Sequence, residues 1–464
     1  MENDDNINMK YDTIIIGFGK CGKTIAPFLA KRGEKVAFIE ESNEMYGGTC
    51  INVGCIPSKS LLKSSELSSV ITQCIPDPAF VYKRGVEEKE RVVAALRKAN
   101  YDKLVGNPDI TFYDGQAHFT ADKEIEIEFK DGKKLTIDAD KIIVDVGSTS
   151  VIPTIDGLLS KVNNPYIYFS NTLMDQKVLP RNLIIIGGGY IGLEFANTYS
   201  NFGSKVTVIG NDKHIMPRED QEVAEAVEND FKTRGINLIN EARVLKIENN
   251  VVRYVDHKEI EHSIKGDAIL IATGRRPNYD HLGLNNTSIK LNERGYVAVN
   301  EFLETNVSGV YFVGDCNGGP QFTYISLDDS RILKSHFLGE NKYSLKDRKP
   351  FPYTVFLSPS LSRIGLSEKD ALKEGHEIMV GKILVTSIPK AKILGESRGM
   401  LKVIVDKKTN LILGAHFYCP LSYELINLIK MAMDNKIPYT YLRDNIYTHP
   451  TMSECFNDLF AAVM

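Results

Sequence analysis

Cys50 and Cys55 lie in the segment Gly47-Gly48-Thr49-Cys50-Ile51-Asn52-Val53-Gly54-Cys55-Ile56-Pro57-Ser58-Lys59. Two thiols this close along a chain can form a small-ring disulfide. A strand over residues 13–16, the turn Gly17-Phe18-Gly19-Lys20-Cys21-Gly22 and an apolar helix to about residue 32 precede them. A disulfide beside a dinucleotide site can be reduced by the bound cofactor. The chemistry on offer is the passage of electron pairs from a dinucleotide to a cysteine pair, and from there to an outside oxidant. Two coincidental buried thiols are the bland alternative, and the flanking Gly-Gly-Thr and Ile-Pro-Ser-Lys count against it.

The elements around the pair must place the dinucleotide. Gly17 allows the tight turn, Gly19 lets backbone approach a pyrophosphate, and Gly22 lets helix and strand pack closely. The helix N-terminus then faces the phosphates. A second strand over 36–39 ends at Glu40, which can hydrogen-bond a ribose. The scheme recurs as a strand over 183–186, Gly187-Gly188-Gly189-Tyr190-Ile191-Gly192, a helix to about 202 and a strand over 205–209. One glycine fingerprint is a weak signal; two in the same strand–turn–helix–strand context imply two dinucleotides.

Polar, β-rich stretches follow each fingerprint. Residues 110–117 and 124–137 read as short strands with a hairpin turn at Asp131-Gly132. Residues 141–146 read as a strand ending at Gly147. Residues 244–264 are hairpin-like, and 268–272 form a strand before Thr273-Gly274-Arg275-Arg276-Pro277. Residues 12–153 and 181–277 thus read as two copies of one architecture. A strand over 310–313 ends in Gly314-Asp315, an acid placed to bind polyol hydroxyls. Residues 347–464 carry no fingerprint. Strands over 380–388, 401–406 and 411–417 and a helix over 423–434 suggest a separate α+β domain. The expected fold class is α/β: two Rossmann-like dinucleotide-binding domains and a C-terminal α+β domain. The divisions fall at 1–153, 154–277, 278–346 (completing the first domain) and 347–464.

A chain of 464 residues suggests about three domains. The formal net charge of -4 and the lack of a basic run exclude a nucleic-acid partner. No apolar run approaches the ~18 residues of a membrane span. The segment Met1 to Lys10 is polar and acidic, lacks the basic start of a signal peptide and reads as a disordered tail. The seven cysteines are an odd number without a secretory signal. That argues against a structural disulfide framework and for a reducing cytoplasm. A disulfide between Cys50 and Cys55 would then be catalytic. Cys21, Cys74, Cys316 and Cys419 read as structural, and Cys455 as a passive thiol.

The two fingerprints, the cysteine pair, Gly314-Asp315 and His449-Pro450-Thr451-Met452-Ser453-Glu454 together resemble the class I flavoprotein disulfide reductases. The resemblance spans nearly the whole chain, in order. A narrower resemblance, to the RclA-type branch, rests on four stretches. These are Gly17-Phe18-Gly19-Lys20, Met45-Tyr46-Gly47-Gly48, Gln321-Phe322-Thr323-Tyr324-Ile325-Ser326-Leu327-Asp328-Asp329 and Phe456-Asn457-Asp458-Leu459-Phe460. That branch defends bacteria against reactive chlorine species and reduces hypothiocyanous acid.

The resemblance implies FAD on the first fingerprint, with Gly17, Gly19, Gly22, Glu40, Gly48, Thr49, Gly147, Gly314 and Asp315 around it. It implies NAD(P)H on the second, at Gly187, Gly189, Tyr190, Ile191, Gly192 and Gly274. Cys55 would lie nearest the flavin and Cys50 would be the exposed thiol that attacks substrate. Lys59 would sit near the flavin and pair with Glu194. His449 and Glu454 would act as an acid–base pair. They would reach across a homodimer interface to the other subunit's Cys50, with 347–464 as the dimerisation domain. The N-terminus of the helix after the pair, with nearby cations, would lower a thiol pKa. No metal ligand set is expected.

The chain departs from the family pattern in three places. Gly210 stands where NAD-using relatives carry an acid, and no arginine follows it, so NADH and NADPH both stay open. Asp145-Val146-Gly147 replaces the usual Ala-Thr-Gly, with loop amides as the partners Asp145 could bond. The C-terminus lacks the paired cysteines of mercuric reductases, which counts against that function. The implied activity is NAD(P)H-dependent reduction of a small oxidant, hypothiocyanous acid foremost. Dihydrolipoyl dehydrogenase is the main competitor. A redox-sensing flavoprotein would not require the full relay, and a flavin monooxygenase would leave the cysteine pair idle.

Overall fold

The structure, a computed structural model, describes residues 9–71, 77–158 and 164–464. Cys74 and residues 1–8 of the expected tail lie outside them. The chain divides into two compact units.

The first unit takes its described residues from Met1–Ser60, Val86–Val151 and Gly274–Arg348. Its sheet is built on the strand Met9–Ile16, which pairs in parallel with Val36–Glu40 on one side and Lys134–Val144 on the other. Ile110–Ala121 extends the sheet beyond Val36–Glu40, and Val310–Phe312 beyond Lys134–Val144. Ile14, Ile15, Ile142 and Ile143 are fully buried, as expected for parallel strands covered on both faces. From the central strand the chain moves out through Val36–Glu40 and Ile110–Ala121, then returns to its other side with Lys134–Val144 and Val310–Phe312. This creates the switch point at which open α/β sheets bind ligands.

Two expectations change here. Met9 and Lys10 are not tail: they pair with Ile137 and Asp138, so the first strand starts earlier than its apolar run. Residues 141–146 are not a strand of their own but the end of Lys134–Val144. That strand changes partner within one sheet: its first half answers Glu124–Phe129 antiparallel across the turn, and from Ile137 onward it lies parallel beside the central strand. Gly132 supplies the left-handed turn residue at φ 81°, where Asp131-Gly132 placed it.

The second unit comprises the described residues of Leu61–Gly85, Ile152–Thr273 and Lys349–Met464. A parallel sheet runs Asn237–Ile239, Lys205–Ile209, Asn182–Ile186, Ala268–Ile271, Ile167–Tyr168. The hairpin-like segment 244–264 is a three-stranded meander, Arg243–Glu248, Val251–Val255 and Glu261–Lys265. The C-terminal part is an antiparallel sheet in the order Tyr353–Val355, Ser360–Gly365, Ile412–Cys419, Met400–Asp406, Ile378–Leu384. The helices Ser422–Asp434 and Cys455–Ala461 bury Leu425, Ile426, Ile429, Phe456, Leu459 and Phe460 against it. The strand expected over 380–388 ends at Leu384, where the chain turns into a short 3-10 segment. Ser360–Gly365 escaped the sequence reading because its buried serines break the apolar run.

Candidate active site

The cysteine segment starts with two glycines at positive φ, Gly47 at 91° and Gly48 at 84°. A Cβ on Gly48 would stand 2.7 Å from the Phe18 carbonyl oxygen, so only glycine lets this segment lie against the first fingerprint turn. Thr49–Asn52 then makes one helical turn, and Cys55 opens the helix Cys55–Ile71. Asn52 fixes the turn: its amide donates to the carbonyls of Tyr46 and Gly48 at 2.9 and 3.0 Å. Arg97 Nε in turn donates to the Asn52 side-chain Oδ1 at 2.8 Å.

Both thiols are free, Cys50 half-buried and Cys55 exposed. They titrate as a pair. The Cys55 thiol donates to the Cys50 sulfur. With help from the Thr323 hydroxyl, Lys23 and Lys59, this brings Cys50 down to about 6 against the opposing effect of burial. The same hydrogen bond pushes Cys55 up. Near neutral pH the pair is one thiolate and one thiol, the state a nucleophilic cysteine needs.

Three residues around the sulfurs were not singled out from sequence. Thr323 opens the helix Thr323–Phe337, and its hydroxyl lies 3.7 Å from the Cys55 sulfur. Lys23 donates to the Gly47 carbonyl at 2.7 Å, and burial draws its ammonium down to about 8. Arg275 donates to the Ser148 hydroxyl at 2.9 Å, and its charge interacts with Asp315 and Cys55. A lysine directly after the third glycine was the one available signal. The roles of Thr323 and Arg275 depend on contacts that no local pattern displays.

The first fingerprint has the geometry its glycines foretold. Gly17 adopts φ 94°, and a Cβ there would meet the Asp145 carbonyl oxygen at 2.5 Å; a Cβ on Gly22 would meet Ile15 at 2.9 Å. Glu40 is buried and accepts from the amides of Phe18 and Ser42 at 2.9 and 3.1 Å. Burial lifts its carboxyl to about 7 against those two hydrogen bonds. Asp315 accepts from Ser148 at 3.0 Å, and burial raises its carboxyl. Gly314 is held by its amide on Asp329 at 2.7 Å. Gly147 has φ 69°, and a Cβ there would stand 3.4 Å from the Thr49 hydroxyl oxygen. Asp145 is buried and accepts not from a loop amide but from the first amide of the helix Gly22–Ala30, that of Gly22, at 2.7 Å.

The second fingerprint repeats this frame. Gly187 has φ 118° and Gly192 packs on the Gly187 carbonyl. Gly189 precedes the helix Tyr190–Asn201 with no side-chain cap, and nothing lies within 4 Å of the place its Cβ would take. The helix N-terminus is therefore open to an anion. Tyr190 donates to Glu219 at 2.5 Å, and Ile191 is half-buried behind it. Gly210 ends its strand with no acid, as the sequence indicates. Gly274 lies in the first unit at φ 119°. The glycine cradles, the open helix end and the buried acids at the strand ends fit two dinucleotides.

Glu194 accepts from the Phe356 amide at 2.8 Å in the second unit, while Lys59 belongs to the first. His449 and Glu454 come together in the second unit, Nδ1 to Oε2 at 2.7 Å, with the imidazole largely exposed. Cys455, beside them in sequence, is buried and its thiol is raised by burial, in keeping with a passive role. Cys21, Cys316 and Cys419 are likewise buried. Among the described residues no group of three His, Cys, Asp or Glu could hold a metal. No described helix is long and apolar enough to cross a membrane.

Comparison with known proteins agrees with this geometry. The pyridine nucleotide-disulphide oxidoreductase profile matches residues 11–329, and the dimerisation domain of the same family matches 351–460. The chain is 44% identical over 457 residues to the probable pyridine nucleotide-disulfide oxidoreductase RclA of Escherichia coli (strain K12), covering 98% of this chain and 99% of that protein. It is 30% identical to the dihydrolipoyl dehydrogenase of Mycobacterium leprae (strain TN), covering 97% of each. The solved Cu(II) complex of the HOCl-induced flavoprotein disulfide reductase RclA from Escherichia coli superposes with a TM-score of 0.91 at 43% identity. That match covers 97% of this chain and 99% of the other.

Proposed function

Because the chain belongs to the pyridine nucleotide-disulphide oxidoreductase family, whose members use FAD and NAD(P)H, we propose how it uses them. It is a homodimeric cytoplasmic reductase that destroys a small oxidant, hypothiocyanous acid or another reactive chlorine species, through Cys50 and Cys55. The observation that carries this reading is the pair of free thiols set against the first fingerprint turn, with the Thr323 hydroxyl 3.7 Å from the Cys55 sulfur and Lys23 held on the Gly47 carbonyl. The likeness to an HOCl-induced relative supports the substrate class.

The Cys50 thiolate attacks the sulfur of hypothiocyanous acid. An S–S bond forms, the S–O bond breaks, and hydroxide leaves with a proton to form water. Cys55 gives up its proton, which replaces the one spent on the leaving oxygen, then attacks the Cys50 sulfur, expels thiocyanate and closes the disulfide. Bound FAD and NAD(P)H supply the two electrons that reopen it. Gly17, Gly19, Gly22, Glu40, Gly48, Thr49, Gly147, Gly314 and Asp315 hold FAD. Gly187, Gly189, Tyr190, Ile191, Gly192 and Gly274 hold the nicotinamide cofactor. Lys59 and Glu194 are the charged side chains that serve the flavin. His449, oriented by Glu454, serves the Cys50 of the opposite subunit and supplies the proton to the leaving oxygen. Residues 1–153 with 278–346, 154–277 and 347–464 act as the FAD, NAD(P) and dimerisation domains.

The test is a substrate panel with purified protein, run in parallel with NADH and NADPH. It contains hypothiocyanous acid, lipoamide and, given the relative's Cu(II) complex, Cu(II). Rapid turnover of hypothiocyanous acid is expected. Substantial lipoamide turnover with none on hypothiocyanous acid would make the protein a dihydrolipoyl dehydrogenase.

A further inference from the structure

The two fingerprints differ at one corresponding place. Beside Gly189 of the second, the space a Cβ would take is empty, and the neighbouring strand runs out through Ala272. Beside Gly19 of the first, that space holds the carboxyl group of Asp145, 2.2 to 2.3 Å from the ideal Cβ position. Asp145 occupies the sequence position that Ala272 has in the second copy. Its Oδ2 accepts from the amide of Gly22 at 2.7 Å. Its Oδ1 would lie 2.7 Å from a Cβ on Gly314. The side chain is only 3% exposed.

This is the end of the helix Gly22–Ala30 on which a dinucleotide diphosphate rests. A carboxylate there would set a second anion against the phosphates. A carboxylic acid would not: its hydroxyl is a donor and its carbonyl oxygen still accepts. We propose that Asp145 is a flavin-binding residue that works as the neutral acid, one oxygen accepting from Gly22 and the hydroxyl donating to the FAD diphosphate. Its neighbours favour that state. Burial raises the carboxyl well above its ordinary range, and Asp329 and Asp315 add to it, while the Gly22 amide and Lys23 oppose. Cys21 from the turn before the helix and Cys316 from the segment after Gly314 also face it, both as neutral thiols. Asp329 is itself held by Arg348 at 2.5 Å.

Flavin retention then depends on pH. As pH rises, Asp145 ionises, its donor becomes a repelling charge, and FAD affinity falls by about tenfold for each pH unit past the ionisation. Lys23, drawn down to about 8, also loses its charge as pH rises and weakens binding in the same direction. An Asp145→Asn variant separates the two effects, because its amide keeps a donor and an acceptor without ionising.

The inference rests on the first fingerprint binding FAD. The test titrates FAD into apo wild type, Asp145→Asn and Asp145→Ala from mildly acidic to alkaline pH, reading quenching of flavin fluorescence. The melting temperature of each apo protein reports folding. Wild type is expected to lose FAD with rising pH, while Asp145→Asn keeps at least about tenfold more affinity at the alkaline end and only the Lys23 slope. Asp145→Ala should bind more weakly than wild type at neutral pH. Coincident wild-type and Asn profiles would overturn the proposal, as would an Ala variant that binds as tightly as wild type or more tightly. A wild type that binds no FAD at any pH would overturn the dinucleotide reading itself.

Discussion

At the scale of single residues, the thiol pair sets the chemistry and its surroundings set the pH at which it works. Cys50 ionises at about 6 because Cys55 donates to it, with Thr323, Lys23 and Lys59 assisting. Alkylation of Cys50 in the reduced protein should therefore rise with pH through about 6 and level off, as peptide mass spectrometry would show. Thr323→Val removes the hydroxyl and should move that midpoint upward, while Thr323→Ser restores it. A Val profile identical to wild type would remove Thr323 from the account. The pair itself was legible in the sequence, because two cysteines between Gly-Gly-Thr and Ile-Pro-Ser-Lys form a local pattern. Thr323 was not, since it meets Cys55 across a long stretch of chain. Asp145 was visible as a departure, but its partner Gly22 became visible only when the strand end and the first turn were seen side by side.

At the scale of elements, the fingerprints were readable because each glycine answers a local steric demand. Gly187 combines φ 118° with a Cβ position 2.3 Å from the Ala272 carbonyl oxygen. Gly187→Ala should cost about 1–3 kcal/mol and raise the KM for NAD(P)H, measured by thermal melting and steady-state kinetics. An Ala variant with unchanged melting and KM would mean that the turn tolerates a side chain. Strand limits were less legible. Lys134–Val144 looked like two strands because its pairing partner changes midway, and pairing is a tertiary property. The first strand took in Met9 and Lys10 because Lys134–Val144 offers them partners, not because they are apolar. Ile14 is fully buried in that strand. Ile14→Ala should destabilise by about 2–5 kcal/mol, read from denaturant unfolding, without changing the substrates accepted.

At the scale of the whole molecule, the fold class and the order of its parts followed from the repeated fingerprint and the change of pattern near residue 347. How the parts associate did not, because an interface is not periodic in the sequence. The exposed His449, held by Glu454, has no use in a monomer under the proposed scheme. His449→Gln should lower turnover by about 10²–10⁴-fold. Mixing the inactive Cys50→Ser and His449→Gln proteins under conditions of subunit exchange should then restore about a quarter of wild-type activity. Half of the dimers become mixed, and each of these regains one intact site across its two-fold axis. Absence of recovery despite proven exchange would place each active site within a single chain.

The most direct measurement is hypothiocyanous acid-dependent oxidation of NAD(P)H by Cys50→Ser protein matched to wild type in flavin content. The account predicts that turnover falls to the uncatalysed background while the flavin remains bound. Wild-type turnover by this variant would show that electrons reach the oxidant without passing through the sulfur at position 50.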